Sequence, residues 1–244
     1  MNKKIRIGAV SYLNTKPLLL GFDKNEWNII EEYPSILAQK LLNDEIDIGL
    51  VPVAVIPLLK EYYIISDFCI GAEGLVDSVG IFSEVPMDQI ETVVLDYQSK
   101  TSVNLAKVLL KYYWKKEVVF EDAREDFIDH IKGTKAAVLI GDRALKQLSN
   151  TPYYYDLAKA WNDFTGLPFV FAAWIANKPI DADFIAAFNT ATGFGIDNIE
   201  TVLQQNTFEH YDLKKYYTQR ISYPLTDDKR KGLKLFLSLL KMIS

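Results

Sequence analysis

One cysteine, Cys69, and two histidines, His130 and His210, are all that a chain of 244 residues offers of the usual soft metal ligands. A single thiol excludes an intrachain disulfide and a thiolate cluster. The two histidines stand far apart, and no HExxH-like spacing joins them, so no metal site is expected. Phosphate-cradling loops are missing as well. No GxxxxGK[ST] occurs, and Gly71-Ala72-Glu73-Gly74 and Gly193-Phe194-Gly195 are too short and wrongly spaced for GxGxxG. Without a GxSxG elbow and with so few histidines, a Ser-His-Asp triad has little support. Cationic excess is lacking too: 27 Lys and Arg against 32 Asp and Glu leave a net charge of −5. That balance excludes a general nucleic-acid binder, which needs clustered cations, but leaves room for one pocket holding a small anion.

Long apolar runs are also absent. The run over 49–59 is interrupted by Pro52 and Pro57 and falls short of the roughly 20 residues that span a bilayer. The basic start Met1-Asn2-Lys3-Lys4 leads into an apolar stretch broken by Arg6, and Ser11-Tyr12-Leu13-Asn14 follows before an export signal could form. The chain reads as a soluble, cytoplasmic protein with no membrane partner.

What is present is a steady alternation of strand and helix patterns, which predicts an α/β fold with largely parallel sheets. Residues 5–10, 46–50, 136–140 and 169–175 have strand composition. Residues 79–82 and 93–95 read as a pair of strands on either side of the Glu84-Val85-Pro86 turn. Helical spacing links Ile36, Leu37, Leu41 and Leu42, then Val103, Ala106, Leu110 and Tyr113, and finally Leu233, Phe236, Leu237, Leu240 and Ile243. No flexible linker separates two halves. Two lobes joined by strands that cross between them are therefore expected, with crossings near 79–83 and 169–173. The predicted division is 1–83 with 174–244 as one discontinuous lobe, and 84–173 as the other.

Four polar clusters sit between a predicted strand and a helix: Ser11 to Thr15, Ser99-Lys100-Thr101-Ser102, Gly141-Asp142, and Asp77-Ser78. Strand ends and helix N-termini are where open α/β sheets bind small anions. Each cluster has a plainer use: Ser99, Thr101, Ser102 and Asp142 can cap helices. Ser11 and Asn14 stand evenly between the two uses, since such a turn needs only one cap. His130 and His210 read as surface residues, Cys69 as core, and the Tyr153-Tyr154-Tyr155 run as packing. From the residues alone, an enzyme and a binding protein are not separated.

Several blocks together resemble the chorismate dehydratase family of the futalosine route to menaquinone. They are Val10-Ser11-Tyr12-Leu13-Asn14-Thr15-Lys16-Pro17-Leu18, Asp47-Ile48-Gly49-Leu50-Val51-Pro52-Val53, Gly74-Leu75-Val76-Asp77-Ser78-Val79, Ser99-Lys100-Thr101-Ser102, Ile140-Gly141-Asp142, and Trp161 with Thr165-Gly166-Leu167-Pro168-Phe169. The stretch beyond about 176 carries no such block. The resemblance implies an α/β, two-lobed fold of the type II periplasmic-binding-protein kind with the ligand cleft between lobes. It implies loss of water from chorismate to give 3-[(1-carboxyvinyl)oxy]benzoate, with no redox or metal cofactor. It places Asn14 and Asp142 as catalytic candidates and Ser11, Ser78, Thr101, Ser102 and Gly141 as substrate contacts.

Two other readings share these residues. One is a non-catalytic cytoplasmic sensor or carrier of a small acid on the same fold. The other is the sister enzyme 1,4-dihydroxy-6-naphthoate synthase, whose family uses a cleft histidine. Replacing both His130 and His210 by Ala separates the two enzymes: a dehydratase retains its turnover, and a histidine-dependent synthase loses it.

Overall fold

The computed structural model describes residues 4–23, 25–123 and 127–243. The basic start at 1–3 lies outside them. In chain order the strands are β1 (Arg6–Val10), β2 (Asn28–Glu32), β3 (Ile48–Pro52), β4 (Tyr63–Ala72), β5 (Val79–Ser83) and β6 (Thr92–Leu95). They continue with β7 (Val119–Asp122), β8 (Lys135–Ile140), β9 (Tyr153–Asp156), β10 (Phe169–Ala176) and β11 (Ser222–Pro224). The helices are α1 (Lys16–Leu19), α2 (Pro34–Leu42), α3 (Lys100–Tyr112), α4 (Gly141–Gln147) and α5 (Leu157–Thr165). After them come α6 (Ala182–Asp197), α7 (Ile199–Gln205), α8 (Leu213–Lys215) and α9 (Asp227–Lys241).

The strands form two sheets, ordered β11-β4-β10-β3-β1-β2 and β7-β6-β8-β5-β9. Both are mixed, not largely parallel. Strand β1 runs parallel to β2 and β3, and β6 parallel to β7 and β8. The strands nearest the connections, β4, β5 and β10, pair antiparallel with their neighbours, because the chain enters each sheet from the other. The expected β5–β6 pair does not form. Strand β8, buried from Ala136 to Ile140, takes the place between them, where both its faces are covered.

Val79–Ser83 bonds to β8 and β9 within one sheet, and Phe169–Ala176 bonds to β3 and β4 within the other. Neither strand crosses; the chain passes between sheets at 73–78 and 166–168.

Local signals explain the helices that flank these passages. Ser99 caps α3 by accepting from the Ser102 N–H at 3.3 Å, and Leu105, Ala106 and Leu109 bury the inner face. Asp156 caps α5, which ends on Gly166 at φ 72°. Glycine suits that left-handed stop because it has no Cβ to clash. Thr226 caps α9. Its buried face, Leu233, Phe236 and Leu240, packs into the core, with the Phe236 ring against Trp161 and Phe169.

One ion cluster ties the ends of three strands together. Asp47, buried just before β3, accepts from the Arg6 N–H at 2.9 Å, from Arg6 Nη2 at 2.9 Å and from Lys178 Nζ at 2.6 Å. Burial alone would raise this carboxyl, but the Arg6 and Lys178 bonds outweigh it and hold it far below the usual range. A carboxyl with a depressed folded-state pKa stabilises the fold fully above its unfolded value, near ~4, and loses that contribution as acid protonates it. Asp47→Asn should therefore cost about 1–3 kcal/mol at neutral pH. Thermal melts from pH 7 to pH 2 check this: the gap to wild type should narrow only below about pH 4. A gap that stays constant throughout contradicts the assignment.

Candidate active site

The strand ends of the two sheets face each other across one cavity. Val10 of β1, Pro52 of β3, Ile70 of β4 and Phe171 and Ala172 of β10 line it from the six-stranded sheet. Val76, Ser78, Val79, Ser99, Ser102, Ile140 and Gly141 line it from the other. Its empty space, open mouth included, amounts to about 470 Å³. Among the described residues its polar lining is Tyr12, Asn14, Ser78, Ser99 and Ser102, and none of the lining residues is ionised at neutral pH. An anion placed here meets hydroxyls, one amide and the N-terminus of α3.

Of the residues expected from the sequence, Asn14, Ser78, Ser102 and Gly141 come together on this lining. Three others do not. Ser11 is exposed at the end of β1, its N–H bonded to Glu32 O at 3.1 Å. The Thr101 hydroxyl turns into the core and accepts from the Ala54 N–H at 3.1 Å. Asp142 does not cap α4; its Oδ1 accepts instead from the Leu13 N–H at 3.4 Å, a link between the two sides of the cleft. Burial pushes the Asp142 carboxyl up, and the Leu13 bond partly opposes that rise.

Each wall is held from behind. Asn14 lies on the short 3₁₀ turn Leu13–Thr15, where its Oδ1 accepts from Thr15 Oγ1 at 3.3 Å. Its backbone carbonyl accepts from the buried Tyr223 hydroxyl at 3.0 Å. Ser78 follows Asp77, a non-glycine residue at φ 61°. Such a conformation persists only where its surroundings over-determine it. Here Asp156 Oδ2 accepts from the Val76 and Asp77 N–H groups at 2.9 and 2.7 Å, while Asp77 itself holds Arg220 Nε at 2.5 Å and the Tyr211 hydroxyl. Gly141 donates its N–H to Ser78 O at 2.8 Å.

Tyr12 spans the cleft. Its ring lies over Gly141, and its hydroxyl donates to Gln98 on the opposite sheet. Behind Gln98, Asp96 accepts from Arg143 Nη2 with both oxygens, at 2.8 and 2.6 Å. Burial raises the Tyr12 pKa far beyond its ordinary value, with the Asp96 charge adding to it, so the phenol remains a neutral donor.

The segment 211–223 supports the site without carrying any recognisable motif. Tyr216, Tyr217 and Tyr223 are buried there, Ile221 lines the cavity, and Arg220 and Tyr211 fix Asp77. Its only legible signal is a density of tyrosines that end up inside. His130 and His210, in contrast, are both exposed and away from the cavity. Cys69 is wholly buried, its thiol pushed up to about 11 by burial. Among the described residues no helix is long and apolar enough to cross a membrane.

A family model described as menaquinone biosynthesis matches residues 5–242. A chorismate dehydratase of Thermus thermophilus is 26% identical over 94% of this chain and 93% of its own length. Another, from Campylobacter jejuni, is 25% identical over 97% of this chain and 98% of its own. Among solved structures, a Candida albicans protein with the generic periplasmic-binding-protein fold superposes with a TM-score of 0.68 at 12% identity, covering 98% of this chain and 90% of that one. That likeness establishes the fold: two α/β sheets of the periplasmic-binding-protein kind, with the cavity at their facing ends.

Gly141 gives a direct test of the cleft geometry. It sits at φ 59°, and a Cβ there would lie 3.2 Å from the Tyr12 ring. Gly141→Ala should cost about 1–2 kcal/mol from backbone strain alone. It should also displace Tyr12, so that the loss of stability comes with weaker ligand binding in a thermal-shift titration. An unchanged Tm and unchanged binding would contradict this packing.

Proposed function

The chain belongs to the menaquinone-biosynthesis family, and we propose on that premise that it is a hydro-lyase converting chorismate to 3-[(1-carboxyvinyl)oxy]benzoate. The observation that carries the reading is the lining itself: neutral donors from both sheets around one cavity, in a chain similar over nearly its whole length to proteins named chorismate dehydratase. The two sheets act as two lobes, divided at 73–78 and 166–168.

The chemistry asks little of the protein beyond placement. The C3 proton of chorismate is acidified through the conjugated ring carboxylate, the C4 hydroxyl departs as water, and aromatisation drives the step. In this reading Ser102 and the backbone N–H groups at the start of α3 hold a carboxylate. Asn14 and Ser78 bind from the facing walls and stabilise charge as it develops. Gly141 allows close approach because it has no side chain. Asp142 holds the Leu13–Thr15 turn in place through the Leu13 N–H and is a positioning residue. Since no described lining residue is a base, the substrate's own enolpyruvyl carboxylate takes the C3 proton. Fixing that carboxylate near C3 makes the transfer effectively intramolecular, which is worth orders of magnitude in rate.

The reaction mixture decides between this and a sensor or carrier. Purified protein is mixed with chorismate and followed by liquid chromatography and mass spectrometry, with no cofactor added. The expected result is a product lighter by one water with an aromatic spectrum; chorismate bound but unchanged would overturn the enzyme reading. Asn14→Ala should lower kcat by roughly 10²-fold or more. Asp142→Asn, which keeps an acceptor for Leu13 N–H, should stay within about tenfold of wild type, a loss of one modest hydrogen bond. Abolished turnover in Asp142→Asn would make that carboxylate the base.

A further inference from the structure

Among the described residues, Lys229 is the one cationic side chain wholly withdrawn from water. The chemistry above makes no use of it, and its place is a poor one for a charge. It lies in the first turn of α9, where Thr226 Oγ1 accepts its N–H at 3.3 Å and the helix dipole already presents its positive end. Burial disfavours the ammonium and draws its pKa down. An apolar side chain of similar length would avoid both penalties. A cation kept here does something that an apolar residue cannot.

What it does is hold β11. Its Nζ donates to Ser222 O, Ser222 Oγ and Pro224 O, each at 2.6 Å, so every ammonium proton has an acceptor. These acceptors flank Tyr223. Strand β11 is three residues long and follows the π-helical turn at 216–220. Ser222 pairs with Gly71 and Pro224 with Phe68, so the ladder to β4 shifts register at Tyr223 itself. So short and irregular a pairing fixes that residue weakly, and the lysine ties the backbone on either side of it. Gly71 leaves the room for this: a Cβ there would lie 3.2 Å from Lys229 Cε. Ser222 in turn donates its hydroxyl to Glu73 at 2.8 Å, at the start of the passage between the sheets.

The residue so fixed reaches the cleft. Tyr223 is buried, and its hydroxyl donates to Asn14 O at 3.0 Å. Burial raises this phenol well above its ordinary range, so it stays a neutral donor. The turn that it grips, Leu13–Thr15, has no side-chain cap of its own. We infer that Lys229 is a positioning residue for the dehydration, acting through Tyr223 to fix the turn that aims the Asn14 side chain into the cavity. The inference rests on the chorismate reading above, and it gives the chain beyond residue 176 a part in that site. A displacement of about 1 Å in a reacting group can cost on the order of 10²-fold in rate, even when the change that causes it is remote.

Two substitutions separate positioning from mere support. Lys229→Met keeps the length and removes the charge; Tyr223→Phe keeps the clamp and removes only the bond to Asn14. Each should lower kcat by about tenfold while KM for chorismate stays within about twofold. The assays are run well below each variant's Tm, where lowered stability alone leaves kcat unchanged. Placed on Asn14→Ala, which leaves no amide to aim, neither substitution should lower kcat further, because residues acting as a unit are not additive. The lowered Tm of Lys229→Met should persist in that background. If Lys229→Met does not fold, Lys229→Gln, which keeps a donor near the two carbonyls, takes its place, and Tyr223→Phe tests the link to Asn14 in either case. Wild type that turns chorismate over, with kcat unchanged in either variant or lowered equally with and without the Asn14 amide, overturns this inference alone. Wild type that leaves chorismate unchanged overturns the functional reading and this inference with it.

Discussion

Asp156 is almost fully withdrawn from water, and it divides its two oxygens between two tasks. Oδ1 caps α5 through the Ala158 and Lys159 N–H groups. Oδ2 gathers the N–H groups of Val76 and Asp77 and the hydroxyl of Tyr154. Burial pushes this carboxyl up, and the backbone N–H groups draw it back. One passage between the sheets is thereby held against the start of the helix that leads to the other passage. The left-handed Asp77, the clamp from Arg220 and the position of Ser78 all depend on that anchoring. A cleft between two lobes needs rigid walls near its hinge, and here the rigidity comes from one satisfied carboxylate.

The lining follows a different rule. Charges sit behind the walls, as Arg143 with Asp96 and Arg220 with Asp77, while the cavity itself shows hydroxyls, an amide and apolar surface. A neutral lining suits a reaction in which the ligand supplies the base. A lysine or arginine bonded to the enolpyruvyl carboxylate would lower its basicity. Neutral donors hold the same group while leaving it able to take a proton.

Much of this was legible in the residues, and what escaped has physical reasons. Apolar runs such as 5–10, 136–140 and 169–175 announce buried strands, and Ser99 announces a helix start because its hydroxyl can reach only a nearby N–H. The strand β7 is exposed along its whole length, and β11 has three residues, so neither shows a buried-strand pattern. Pairing order was misjudged for β5 and β6 because a short turn between two strands does not exclude a third from coming between them. Four lining residues of the site, Asn14, Ser78, Ser102 and Gly141, were found from strand-to-helix turns. Thr101 turns its hydroxyl to the Ala54 N–H because the helix register, not the motif, decides which of three adjacent polar residues faces the cleft. Tyr216 and its neighbours went unseen because a π turn has no distinct sequence signature, and tyrosine serves packing as often as recognition.

The central claim is that neutral donors from both sheets, and no cationic side chain, hold a small dianionic acid in this cleft. A crystal structure with the aromatic product bound tests it most directly. The account predicts one ligand carboxylate at the N-terminus of α3 beside Ser102, ligand oxygens within hydrogen-bond reach of Asn14 and Ser78, and no Lys or Arg in contact with the ligand. A product carboxylate paired with Arg143 or any other cation, or a ligand seated away from the Ser78 turn, would contradict it.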